Sequence, residues 1–149
     1  MEFIQSYAVF LIPVAVIVIA QIIKFVRYSL MHGLDWNYLL SPGHMPSAHA
    51  AFVTALVVTI GYYDSTASSA FAVAMGLAVI VIYDAVRIRM HIGDQGKYFN
   101  MLVSQLKDID QSQFPRLKER VGHYTSEVVA GVVVGALLAA LLITLMQSL

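Results

Sequence analysis

Three short stretches hold the residues able to do chemistry. The first is SPGHMPSAHA, residues 41–50, set against the apolar run AFVTALVVTI. Pro42 and Gly43 read as a turn, Pro46 suits the first turn of a helix, and Ser47 lies at or beside its N-cap. A helix start presents unpaired N–H groups and the positive end of the dipole, which together attract phosphate. Ser47 would add a donor, and His49 could give a proton to a leaving oxygen. Helix capping by Ser47 beside an interfacial His49 accounts for the same residues equally well.

The second stretch is GHYTSEVVAGVVVG, residues 122–135. His123, Glu127, Gly131 and Gly135 recur every fourth residue and share one helix face. A carboxylate one turn from an imidazole fixes its tautomer and raises its basicity. The two glycines let another helix approach closely, in the membrane GxxxG manner, and offer a homodimer contact. Glu127 as a plain helix cap beside Thr125 or Ser126 is the simpler alternative. An ionisable pair facing a bundle interior favours function.

The third stretch is YDAVRIRMHIGDQGKYFN, residues 83–100. Asp84 ends an apolar run, and Arg87 and Arg89 follow at once. A guanidinium matches two phosphate oxygens with parallel hydrogen bonds. Anchoring at the membrane surface explains the same pair and is the more frequent reason for it. Lys24 is similarly either a snorkelling anchor or a phosphate ligand. His44, His49, His91 and His123 follow no metal-ligand spacing, so neither a metal nor another cofactor is expected.

The composition says what must position these groups. The chain is 59% hydrophobic and 12% charged, with a mean hydropathy of +0.75. Soluble chains carry about 25% charged residues, and a domain of 149 residues has too little interior to hide this apolar surface. Four apolar segments, about 3–25, 47–63, 67–85 and 126–146, predict an all-α polytopic membrane bundle of one domain, residues 1–149. A spanning helix needs about 20 residues, with a range of about 17 to 25. The middle two runs, 48–63 and 67–83, are slightly short and reach length by extending into Pro46 and Ser47 or into Asp84 and Ala85. All nine Lys and Arg residues fall at the end of the first segment or between the third and fourth. The positive-inside rule then puts the long loops in the cytoplasm and both termini outside. Residues 92–121 read as an amphipathic, partly helical cytoplasmic loop broken at Pro115. All three chemical stretches would meet at the cytoplasmic mouth.

Taken together and in this order, GHMPSAHA, YDAVRIRMHIGDQGKYFN and GHYTSEVVAG resemble the divergent branch of the phosphatidic-acid-phosphatase and vanadium-haloperoxidase-related superfamily. The likeness covers most of the chain. It implies that Ser47 binds phosphate, His49 is the general acid, His123 is the nucleophile and Glu127 orients it. Ala48 replaces the Gly of the usual Pro-Ser-Gly-His motif, and Leu117 stands where an Arg commonly precedes the nucleophile. Arg89 is the expected substitute, ahead of Arg116 and Arg120, with Lys24, Arg87 and Asp84 completing the substrate site.

The implied activity is metal-free hydrolysis of a lipid phosphomonoester, of the phosphatidylglycerol phosphate or phosphatidic acid type, through a phosphohistidine at the cytoplasmic face of the cell membrane. The expected partners are that lipid and the bilayer, not nucleic acid. A non-catalytic protein that binds lipid headgroups or supports assembly on the same scaffold is the competing expectation. A transporter subunit relaying protons through Asp84 and His123 ranks third.

Overall fold

The computed structural model describes residues 2–36, 45–106, 110, 113–119 and 121–148. Pro42, Gly43, His44 and Arg120 of the sequence reading lie outside them. The described chain is all helical: α1 (Glu2–His32), α2 (Ala48–Tyr63), α3 (Ser69–Tyr83), α4 (Arg89–Gln105) and α5 (Thr125–Gln147), with a π-helical turn (Asp84–Ile88) joining α3 to α4.

Local chemistry sets several helix ends. Gly33, at φ +85°, stops α1, and its N–H bonds the Ser29 carbonyl at 3.0 Å, the left-handed cap that glycine adopts without strain. Ser68 starts α3 by accepting from Phe71 N at 3.1 Å. No breaker interrupts the chain after α3, so one helical rod runs Ser69–Gln105, 37 residues. Such a rod is about 55 Å long and overshoots a hydrocarbon core of about 30 Å, so polar α4 projects from the membrane. The helix ends at Gln105, well before Pro115, which therefore does not break it as expected.

Helix α2 is the hub, touching α1, α3 and α5. Its partners meet it through small residues. Ala8, Ile12, Val16 and Ala20 form a stripe along α1 and pack with Ala48, Ala51 and Ala55 of α2 and Ala139 and Ile143 of α5. In lipid, helices associate by close packing rather than by escape from solvent, and small side chains permit it. The large apolar side chains face out instead, among them Phe10 at 67%, Val73 at 71% and Leu137 at 66% exposure. Such a surface suits acyl chains and not water.

Helices α1, the Ser69–Gln105 rod and α5 are each long and apolar enough to cross a membrane. With α2 they form the membrane bundle that the sequence predicted. Helix α2 has only 16 residues.

Gly131 and Gly135 do admit a close helix, but that helix is α2 of the same chain. A Cβ on Gly131 would collide with the Ser47 carbonyl, and one on Gly135 would lie 2.7 Å from Ala51 Cα. Both glycines are buried there. The face of this pair, read in the sequence as a homodimer contact, is occupied by α2 within one chain.

Candidate functional site

The starts of α2 and α5 are tied together at one end of the bundle. Ser47 N–H donates to the Glu127 carbonyl at 3.0 Å, so the motif ending in His49 and the motif beginning at His123 share a membrane face. The glycines of α5 make this possible, because only a Cβ-free surface lets the Ser47 backbone come so near.

His123 precedes α5 and is oriented from both ends. Its backbone N–H donates to the Ala85 carbonyl in the π-turn at 3.1 Å, and its Nδ1 lies 3.0 Å from Glu127 Oε2. That same oxygen accepts from Tyr124 N at 3.1 Å, the carboxylate half of a capping box at the helix start. A carboxylate oxygen accepts hydrogens, so the contact is made by an Nδ1–H, which turns Nε2 away from Glu127. Glu127 is 6% exposed, and burial makes its hold on the ring firm. The capping and orienting roles of Glu127, alternatives in the sequence, are performed together.

His49, on the first turn of α2, is exposed. It lies within electrostatic reach of Arg89, His123, Lys24 and Asp84, residues from three other parts of the chain. Arg87 is exposed on the π-turn and is not among the charged groups acting on His49.

Arg89 is held by Asp84, with Nε 2.6 Å from Oδ2. Five residues separate the pair, a spacing that an α-helix turns away from contact. In the π-turn the backbone N–H of Arg89 bonds the Asp84 carbonyl, bringing that spacing onto one face. Asp84 therefore pairs with the guanidinium and aims it.

Ser47 has no exposed surface, and its Oγ accepts from Ala50 N at 3.4 Å. The cap is what the structure displays.

Lys24 is only 5% exposed, at the end of the buried α1 stripe. It lines a cavity of about 190 Å³ together with Arg27, Tyr28, His32, Ser126 and Glu127. Arg27 and His32 are functional candidates that the motifs did not single out. Their signal was present in a lysine, an arginine and a histidine recurring near the end of one apolar helix.

The sequence profile of the divergent PAP2 family matches residues 5–138. The chain belongs to the divergent PAP2 family. It is also similar to a relative over most of its length: it is 35% identical over 143 residues to the uncharacterized membrane protein YuiD of Bacillus subtilis (strain 168), covering 88% of this chain and 90% of that one. No solved structure gives a significant match. The family match includes Lys24, Ser47, His49, Asp84, Arg89, His123 and Glu127 alike, so the divergent PAP2 assignment spans both halves of the site. With the helices placed as above, it is an integral membrane protein.

Proposed function

We propose that the chain is a lipid-phosphate phosphatase acting on a phosphomonoester lipid of the phosphatidylglycerol phosphate or phosphatidic acid type. The observation that carries this reading is the His123–Glu127 pair at 3.0 Å, set at the same bundle end as His49 and Arg89. A nucleophile, its orienting carboxylate, a proton donor and a cation then face one lipid headgroup. The placement of every Lys and Arg near this end or its loops supports a cytoplasmic site with both termini outside.

In the scheme, His123 Nε2 attacks phosphorus in line while the P–O bond to the lipid breaks. His49, held protonated by the bound phosphate dianion, gives its proton to the departing alkoxide. Water then attacks the phosphohistidine, His49 takes its proton, and the P–N bond breaks to release inorganic phosphate. Arg89 and Lys24 stabilise the charge on the equatorial oxygens, since phosphoryl transfer is governed mainly by positioning and electrostatics. Every step uses side chains of this protein.

The test is phosphate release in detergent from a panel of lipid monophosphates, with chelator present. Release is expected, together with inhibition by vanadate. Glu127→Gln keeps the shape but can donate as well as accept, and so loses command of the imidazole tautomer. It is expected to lower turnover by about a thousandfold or more, as amide replacement of a triad carboxylate does. Release only when a divalent metal is supplied would sink the metal-free scheme.

The non-catalytic reading draws on Asp84, which already occupies Arg89. It requires lipid phosphates to bind without being hydrolysed.

A further inference from the structure

Residues 117–119 and 121–123, which lead into His123, lie along α4 as an antiparallel strap. Asn100 grips its start: Oδ1 accepts from Leu117 N at 3.0 Å, while Nδ2 donates to Leu117 O at 2.9 Å and to Glu119 Oε1 at 3.0 Å. One side-chain amide thus pairs both backbone groups of Leu117, as a neighbouring strand would.

Further along, the strap sinks into a notch on α4. A Cβ on Gly96 would lie 2.6 Å from Lys118 O, and one on Gly93 would lie 2.7 Å from Glu119 O. These are backbone atoms, so no side-chain rotation relieves the clash. Gly122 closes the path, where a Cβ would lie 2.8 Å from Met90 N. The strap ends with the His123 N–H on the Ala85 carbonyl, 3.1 Å away.

We infer that Asn100 is a positioning residue for His123, setting through this strap where the imidazole stands over the headgroup. The inference rests on the phosphatase reading for its catalytic consequence, though not for its geometry. Asn100 bonds Leu117 and Glu119 rather than His123 or Glu127, and it sits on the polar part of the rod. Its hold on Leu117 fixes one end of a short tether, and Ala85 fixes the other. With one end released, the tether slides and His123 departs from the in-line position. A displacement of about 1 Å in a reacting group lowers turnover by about a hundredfold.

Two variants of the full-length protein in detergent test this. Asn100→Ala removes the grip. Gly96→Ala improves the helix propensity of α4 while forcing the strap off it, so a loss there reflects strap displacement rather than a weakened helix. For both, hydrogen exchange of the 117–123 segment and diethylpyrocarbonate modification of His123, read by mass spectrometry, are expected to quicken several-fold at unchanged helical content. For phosphate release, kcat is expected to fall by about ten- to a hundredfold with KM within about twofold.

His123 reactivity equal to wild type in both variants overturns the inference. So does a fall in kcat matched by a rise in KM and a general loss of helical content. If the wild type releases no phosphate from any lipid, the phosphatase reading fails, and the exchange and modification rates alone decide the role of Asn100.

Discussion

Replacing His123 with Ala is expected to remove phosphate release, by about four orders of magnitude or more, while the protein stays folded. The size follows from losing the nucleophile itself, since groups that act as one unit are not compensated by their neighbours. The folding part follows from the structure. The bond from residue 123 to the Ala85 carbonyl is made by the backbone and survives the substitution. Glu127, although buried, keeps the Tyr124 N–H at 3.1 Å, so its carboxylate is not stranded.

His49→Ala provides the contrast. Its loss removes a proton donor, so it is felt with an alkoxide leaving group and much less with an activated phenolic one. His123→Ala is inactive on both. Release that persists in His123→Ala at the wild-type rate would eliminate the proposed nucleophile. The measurement is inorganic phosphate per protein, with circular dichroism to confirm helical content.

The second large effect concerns stability. Gly135→Leu is expected to destabilise the bundle by about 1–3 kcal/mol or more, because its Cβ alone would lie 2.7 Å from Ala51 Cα and 2.9 Å from Ala51 C. Backbone cannot yield as a side chain can, so α2 and α5 must part. That separation breaks the Ser47–Glu127 tie and with it the site, making activity and thermal midpoint fall together. Gly76→Leu on α3 is the control, as nothing lies within 4 Å of a Cβ there and no comparable loss is expected. Detergent thermal melts of the two variants decide. Equal melting would mean that the α2–α5 contact is not tight.

The sequence carried the bundle because lipid imposes so simple a rule: long apolar runs become helices. It also carried the His123–Glu127 pair, whose four-residue spacing is the helix repeat itself. Asp84 and Arg89 were less accessible. Their five-residue spacing reads as non-contact until the π-turn is known, and nothing local in DAVRI announces that turn. Ser47 was readable as both cap and ligand. Only the approach of α5, a non-local event, buries it. Asn100 was missed for the same reason, as its partners lie seventeen and nineteen residues away. The glycines of IGDQG and VGH were the available hint, since glycine inside a polar helix calls for a packing reason.

One dimension of the bundle bears on how a substrate arrives. The 16 residues of α2 reach about 24 Å, several ångströms less than an undeformed hydrocarbon slab of about 30 Å. Such a shortfall is met by local thinning of the leaflets. The floor beneath His49 is then recessed. On the phosphatase reading, a phospholipid arriving laterally would meet the imidazoles by settling inward with both tails still in oil.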